Sequence, residues 1–351
     1  MSNVLFITRS FGGGGAESVV ASLMDEAGAS PASRNVHRLI LVSNSSYNDD
    51  KNTHLDAISA LRSIPLLFNF LRDSEFDVVI SNLTYVNIIT IFLNFFLRKN
   101  LFCVEHNIVF SKPYRHYTQP LYIRVLARLL YNYPAGLICV STGVAADISK
   151  FYKVSKEKVH VINNPISVRY CGISKEYSSA APFIYFGAHS YQKGIEDLLL
   201  AYDQYYSQSH DPRPLVIYGR PNCNTGSYSA LISKFSSKAS ISFGGFVDPL
   251  EAVMASHCVV VPSRWEGFCN VVAESIIIGS HVIATTCHSG PAEIVENLRE
   301  GELYTPGDVR ALADKMIFLD EKRYVKRAFG YSEYTPAEVY KRYINLVETD
   351  A

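Results

Sequence analysis

Short apolar runs of strand length alternate with longer helix-like stretches along nearly the whole chain, and this alternation restricts the fold more than any other feature. Val4–Thr8, Leu39–Ser43, Val78–Ser81, Phe102–Glu105 and Leu137–Ser141 read as strands. Ser18–Glu26 reads as a helix, and Leu61–Arg72 as a helix interrupted by Pro65. Such βα repetition builds a parallel sheet with helices on both faces. The breaker cluster Asn163-Asn164-Pro165 and the small, polar stretch Ser178–Pro182 stop the pattern. It then restarts with strands at Phe183–Phe186, Leu215–Tyr218, Ile241–Phe243, Cys258–Val261 and His281–Thr285, and with helices at Ile195–Tyr206 and Val271–Ile278. A chain of 351 residues exceeds one ordinary domain, and a hydrophobic content of 48% supplies a core for each half. The pattern predicts an α/β protein of two Rossmann-like domains facing each other across a cleft, with ligand-binding loops at the carboxyl ends of strands.

Lys+Arg and Asp+Glu both number 33, so the chain lacks the basic excess of a nucleic-acid binder, and no nucleic-acid partner is expected. The cysteines (Cys103, Cys139, Cys171, Cys223, Cys258, Cys269 and Cys287) are odd in number and show no zinc or redox spacing. Several lie in apolar runs, as buried free thiols of a reducing cytosol do. The N-terminal residues hold too short an apolar run for a secretory signal. The longest apolar stretch, Val86–Leu97, falls short of the roughly 20 residues of a membrane span, and it reads as a buried helix. These features predict a soluble, cytoplasmic protein.

Strand Val4–Thr8 runs into Gly12-Gly13-Gly14-Gly15-Ala16-Glu17 and then a helix. Glycines let the backbone approach an anion, and a helix N-terminus offers unpaired N–H groups. The spacing is not the dinucleotide fingerprint. The loop reads either as a flexible turn or as a surface for the phosphates of a donor.

The densest signal lies further on, in Pro262-Ser263-Arg264-Trp265-Glu266-Gly267-Phe268-Cys269-Asn270 and the following Val271-Val272-Ala273-Glu274-Ser275. After strand His281–Thr285 come Cys287-His288-Ser289-Gly290-Pro291-Ala292-Glu293. Glu266 falls in the loop at the carboxyl end of a strand. Asn270 reads as an N-cap and Gly279 as a helix stop, which puts Glu274 one turn into a helix. Carboxylates accept hydrogen bonds from sugar and ribose hydroxyls. The free amides at Ser289-Gly290-Pro291 suit a phosphate. Two glutamates eight apart often arise by chance, and Glu274 alone reads more readily as a solvated helix residue. The string as a whole is far more specific.

That string resembles the E-x7-E signature of the family-four retaining glycosyltransferases, also called group 1 glycosyltransferases, which have the GT-B fold. The resemblance covers most of the chain and is strongest over residues 183–308. Gly14-Gly15-Ala16-Glu17 is similar to the family's N-terminal loop. Val140-Ser141, Asn163-Asn164-Pro165, Gly301 and Pro306-Gly307-Asp308 match further elements of it. It implies an acceptor-binding domain over 1–165 and a nucleotide-sugar-binding domain over 166–328. Residues 329–351 would form a helix that packs back towards the first domain.

The resemblance also implies roles. Glu266 would bind hydroxyls of the transferred sugar, helped by the amides of Gly267 and Phe268. Glu274 would hold the ribose diol, and Lys193 would pair with the diphosphate. Gly14, Gly15, Ser289 and Gly290 would line the donor, and His106 would sit near the sugar's reacting face. One departure stands out in Gly187-Ala188-His189-Ser190-Tyr191-Gln192-Lys193-Gly194. Ala188 occupies the place of the family's arginine. His189 or Arg220 could substitute for it, and Arg264 could either do so or buttress its loop.

The implied reaction moves a hexose or N-acetylhexosamine from a nucleotide sugar, UDP by family analogy, with retention. The acceptor would be a glycan or a lipid-linked oligosaccharide of surface polysaccharide synthesis. No Asp-x-Asp is present, no metal site is expected, and no cofactor is expected beyond the donor. A phosphorylase would need a pyridoxal-lysine site, and none is apparent. Ala188 keeps a second reading open, a catalytically impaired nucleotide-sugar-binding or scaffold subunit. Ser111–Tyr133 carries Lys112, Arg115, Arg124 and Arg128 among tyrosines. It reads either as an ordinary amphipathic helix or as a peripheral contact with an anionic membrane on the inner face of the cell membrane.

Overall fold

The computed structural model describes residues 3–10, 15–29, 36–42, 52–55, 62–111, 116–166, 181–219, 225–245, 247, 249–321 and 331–349. The first set of elements is β1 (Val4–Thr8), α1 (Gly15–Ala29), β2 (Val36–Ile40), β3 (Asn52–His54), α2 (Ile64–Asp73), β4 (Val78–Asn82), α3 (Thr84–Leu97) and β5 (Asn100–Glu105). It continues with β6 (Phe110–Ser111), β7 (His116–Tyr117), α4 (Leu121–Leu130), β8 (Gly136–Cys139), α5 (Thr142–Asp147) and β9 (Val159–Val161). The second set is β10 (Phe183–Phe186), α6 (Ile195–Gln208), β11 (Leu215–Tyr218), α7 (Thr225–Ile232), β12 (Ile241–Gly245), α8 (Pro249–Ala255), β13 (Cys258–Val261), α9 (Asn270–Ile278), β14 (His281–Thr285), α10 (Pro291–Leu298), β15 (Glu302–Tyr304) and α11 (Val309–Asp320). The last helix, α12 (Pro336–Thr349), belongs with the first set.

Among the described residues the first unit's main sheet has the order β3-β2-β1-β4-β5-β8-β9, with parallel pairing throughout. The second unit's sheet has the order β12-β11-β10-β13-β14-β15, also parallel. Strands β1, β4, β8, β13 and β14 are buried at every position, as apolar strands covered on both faces must be. In both sheets the order reverses beside the first strand, at β1/β4 and at β10/β13. Ligands of open α/β sheets bind at the carboxyl ends of strands flanking such a reversal. The loops after β1, β4, β10 and β13 therefore matter most.

The second unit's core joins Phe183, Tyr185, Leu198, Tyr202, Leu215, Val260 and Met316, which locks α6 and α11 onto the sheet. In the first unit α12 packs on its own sheet and on α1. The Tyr343 ring lies 6.3 Å from that of Phe6, and Arg342 Nη2 donates to the Val161 carbonyl at 2.9 Å.

Several boundaries differ from the sequence reading. Helix α2 begins at Ile64, so Pro65 opens it rather than interrupting it, because a proline in the first turn lacks only an N–H that has no helical acceptor. The second strand ends at Ile40 rather than Ser43, and Ser141 is the N-cap of α5, accepting from the Val144 amide at 3.3 Å. Ser111–Tyr133 is not one helix. Pro120 is an N-cap and α4 covers only Leu121–Leu130. Tyr131 is buried rather than at a surface, and Lys112, Tyr114 and Arg115 lie outside the described residues. Helix α3 is buried on every side over Val86–Ile91, as read, and opens only towards its C-terminal end, where Phe92, Phe95 and Phe96 are exposed.

Candidate active site

The loop after β13 and the turn before α6 are stapled together. Arg264 N donates to the Gln192 carbonyl at 2.7 Å, and Gln192 Nε2 donates to the Trp265 carbonyl at 3.1 Å. The Arg264 guanidinium reaches the Tyr191 carbonyl at 2.9 Å and Asp197 Oδ1 at 2.7 Å, and it lies 3.9 Å from the centre of the Tyr191 ring. Arg264 is thus a buried buttress, held through its two terminal nitrogens. Gly194 completes the turn with φ +67°, and a Cβ there would lie 2.0 Å from the Pro262 carbonyl oxygen. Only glycine lets α6 start this close to the end of β13.

This staple brings Lys193 to Glu266. Lys193 Nζ lies 2.5 Å from Glu266 Oε1, and the Ser263 hydroxyl donates to the same oxygen at 2.7 Å. Thr285 at the end of β14 donates to the Ser263 carbonyl at 2.6 Å, which fixes the loop from beneath. The Glu266 side chain is 8% exposed and that of Lys193 27%. Burial disfavours the ammonium, yet the charge and hydrogen bond of Glu266 outweigh it and hold the Lys193 pKa above its usual value. Among the described residues Glu266 Oε2 takes no hydrogen bond. A nearly buried carboxylate thus keeps one oxygen for a ligand.

Gly267 and Phe268, both buried, meet the start of α10. Ser289 Oγ donates to the Gly267 carbonyl at 2.7 Å, and Gly290, with φ +87°, presses against the Phe268 carbonyl. The N-terminus of α10 therefore stands beside the Glu266 loop. Its first amides have no helical acceptor and its dipole favours an anion. Helix α9 starts at Asn270, not after it: Cys269 is the N-cap, in the left-handed conformation with φ +79°. Glu274 is the fifth residue of α9 and half-buried. Burial pushes the Cys269 thiol up, and that of Cys287 to about 12, so neither is a thiolate at neutral pH.

Ala188 is exposed, and its carbonyl accepts from Tyr185 at 2.8 Å. His189 does not replace the missing arginine. Its ring is buried among Tyr185, Tyr228 and Phe243, and desolvation lowers its pKa, so it is neutral. Arg220 and Gly14 lie outside the described residues.

Gly15 and His106 belong to the first unit. Gly15 opens α1, and the strand before it ends in a polar brace that sequence reasoning missed. Ser10 donates to Glu17 at 2.8 Å, and buried Arg38 donates to Thr8 Oγ1 and to the Ser10 carbonyl, both at 3.2 Å. An arginine inside an apolar strand was the available signal. His106 follows β5, with Nε2 3.1 Å from Asn82 Oδ1, and burial depresses its pKa to about 4. The preceding Glu105 is fully enclosed and accepts from Thr84 at 2.9 Å, Asn87 at 3.0 Å and Tyr131. Burial lifts its pKa to about 7 against these donors.

Comparison with known proteins gives a consistent family. Residues 173–335 match the profile of the group 1 glycosyl transferases, and residues 9–170 match that of glycosyltransferase family 4. An uncharacterized glycosyltransferase of Methanocaldococcus jannaschii is 24% identical over 267 residues, 70% of this chain and 64% of the relative. The lipopolysaccharide 1,6-galactosyltransferase of Escherichia coli is 28% identical over 168 residues, 44% of each chain. The matched regions thus span less than two thirds of either relative. Among solved structures, Anabaena HepE in complex with UDP and glucose superposes with a TM-score of 0.72 at 18% identity, covering 100% of this chain and 97% of that one. The lipopolysaccharide outer core galactosyltransferase WaaB, in its apo form, gives 0.73 at 18% identity over 99% of this chain and 100% of its own.

Proposed function

The chain belongs to the group 1 glycosyltransferases of GT-B fold, and from that premise we propose that it moves a hexose or N-acetylhexosamine from a UDP-linked donor to a glycan or lipid-linked oligosaccharide, with retention, in surface polysaccharide synthesis. The observation that carries this reading is the Lys193–Glu266 pair beside the start of α10, with Glu266 Oε2 unengaged. The carboxylate accepts sugar hydroxyls, with the amides of Gly267 and Phe268 alongside. Lys193 and the first amides of α10, beside Ser289 and Gly290, stabilise the negative charge that develops on the β-phosphate. Glu274 holds the ribose diol.

In the step itself the bond from the anomeric carbon to the phosphate oxygen breaks and a bond to the acceptor oxygen forms on the same face. The acceptor's proton passes to a phosphate oxygen of the leaving nucleoside diphosphate. Neither a protein nucleophile nor a metal ion is needed in this scheme. HepE binds UDP and glucose, and the Escherichia coli relative is a lipopolysaccharide galactosyltransferase; both support the donor and acceptor classes. The second reading, an impaired donor-binding subunit, draws on exposed Ala188 and neutral His189.

The test is incubation of pure protein with UDP-glucose, UDP-galactose or UDP-N-acetylglucosamine and a glycan acceptor panel, read by NMR at the anomeric centre. An α-linked product is expected. A β-linked product refutes retention, and UDP-induced thermal stabilisation without transfer or donor hydrolysis favours the impaired subunit.

The acceptor reading extends to a membrane surface. Helices α3 and α4 pack on one another and leave Phe92, Phe95, Phe96, Leu121, Tyr122 and Leu129 exposed, with Phe96 at 69% and Leu129 at 73%. From Val78 to Ala146 the only carboxylate is buried Glu105, against Arg98, Lys99, Lys112, Arg115, Arg124 and Arg128. Exposed aromatics with charge of one sign suit an anionic interface. No helix among the described residues is long and apolar enough to cross a membrane. Co-sedimentation with phosphatidylglycerol vesicles, lost in Phe96→Glu/Leu129→Glu, is expected; absence of sedimentation from the wild type removes the membrane contact.

A further inference from the structure

The first unit holds a histidine whose proton position is dictated by its neighbour. Asn82 ends β4 and is buried, and its Nδ2 lies 3.3 Å from the Ile7 carbonyl oxygen and 3.5 Å from that of Ile80. An amide turned the other way would set its own oxygen against two carbonyl oxygens, so the NH2 group must face them. The Asn82 oxygen then faces the His106 ring, 3.1 Å from Nε2. That oxygen only accepts, so Nε2 must carry a hydrogen. Burial depresses the His106 pKa to about 4, which leaves the ring neutral at pH 7. In a neutral ring with Nε2 protonated, Nδ1 is a bare lone pair. Among the described residues nothing hydrogen-bonds to it.

We infer that Asn82 is a positioning residue that locks His106 as the Nε2–H tautomer, so that Nδ1 receives a hydroxyl hydrogen from the bound carbohydrate. A ring fixed in this way cannot donate from Nδ1. It therefore selects a hydroxyl at that position and disfavours a carboxylate or phosphate, each of which presents only acceptors. The choice of tautomer depends on Ile7, Ile80, Asn82 and His106 and on no ligand. The identity of the hydroxyl-bearing ligand as a sugar rests on the proposed function.

Long-range proton–nitrogen NMR on the full chain, labelled with 15N-histidine and assigned through His106→Gln, reads the tautomer directly. The expected spectrum shows Nε2 protonated and Nδ1 bare, unchanged from about pH 8 down to about pH 5.5. An Nδ1–H spectrum, or titration near the ordinary histidine value, overturns the inference without any variant. Asn82→Leu should yield a mixture of tautomers and an about tenfold lower kcat with little change in the KM of UDP-glucose or UDP-galactose. A mixture already present in the wild type, or a spectrum indifferent to Asn82→Leu, also overturns it. If the locked tautomer is found but no donor is turned over, the glycosyltransferase reading fails while the Asn82–His106 assignment stands.

Discussion

Glu266 Oε1 is held twice, by the Lys193 ammonium at 2.5 Å and by the Ser263 hydroxyl at 2.7 Å, while Oε2 is held by neither. The arrangement fixes the carboxylate's orientation before any ligand arrives, so no reorganisation is needed when a sugar hydroxyl binds. Glu266→Gln keeps the shape and an acceptor oxygen but removes the charge that complements Lys193. It should lower kcat about a hundredfold or more while far-ultraviolet circular dichroism is unchanged. Near-normal turnover would remove Glu266 from the site. Lys193→Ala leaves a nearly buried carboxylate with Ser263 as its remaining partner. Breaking a buried pair costs about 3–5 kcal/mol, and the partial exposure of Lys193 brings the expected loss down to about 1–3 kcal/mol, read from urea unfolding.

Cys269 stands at φ +79° where α9 begins, a conformation that strains a residue bearing a Cβ. Its thiol is protonated, so it contributes no charge to the neighbouring Lys193–Glu266 pair. Cys269→Gly relieves the strain and should raise stability by about 0.5–1 kcal/mol despite the greater freedom of the unfolded chain. Donor affinity should be retained. A fall in melting temperature would show that the thiol's packing outweighs the backbone strain.

The sheets and the Glu266 loop were legible because their signals are local. An unbroken apolar run marks a strand covered on both faces, and the Pro262–Ser275 string carries its own turn, helix start and carboxylates. The neutrality of His189 was not legible, since the Tyr185, Tyr228 and Phe243 rings around it come from separate strands and helices. Asn82 was silent for the same reason: its amide is oriented by Ile7 on a neighbouring strand, some 75 positions away. Helix α3 is buried through Val86–Ile91 as its sequence suggests, but the exposure of Phe92, Phe95 and Phe96 was not legible, because residues apolar all round give no periodicity that separates a covered turn from an open one. The overlong helix at Ser111–Tyr133 was avoidable, since Pro113 and Pro120 both forbid a continuous helix.

Glu105 and His106 make opposing contributions to the pH dependence of stability. Glu105 has a folded pKa of about 7, raised by burial above an ordinary 4.5. The folded state therefore holds its proton more tightly, and stability is lost as pH rises through this window. His106 is depressed from 6.5 to about 4, so its contribution is lost as pH falls through that range. Glu105→Gln removes the first effect and keeps one carbonyl oxygen, which can stand where Oε1 accepts from Asn87 and Tyr131, while its NH2 takes the place of the Oε2 that accepts from Thr84. The variant should gain on the wild type above pH 7 by up to about 3 kcal/mol, with the gain shrinking towards pH 4.5. Thermal melts across that range check it, and a difference independent of pH would show that Glu105 is ionised throughout.

Gly15 is the first residue of α1, and a Cβ built there meets nothing within 4 Å. The fold alone gives no reason for glycine at this position. Alanine there should raise stability by about 0.5–1 kcal/mol, because it restricts the unfolded chain and favours the helix. If the amides at the start of α1 instead hold a phosphate at close approach, the added methyl group occupies the ligand's space. Gly15→Ala should then melt at or above the wild-type temperature without ligand, show a smaller stabilisation by UDP, and raise the donor KM about tenfold at little cost in kcat. A variant that is more stable and binds UDP as before would assign this glycine to the turn and not to the donor.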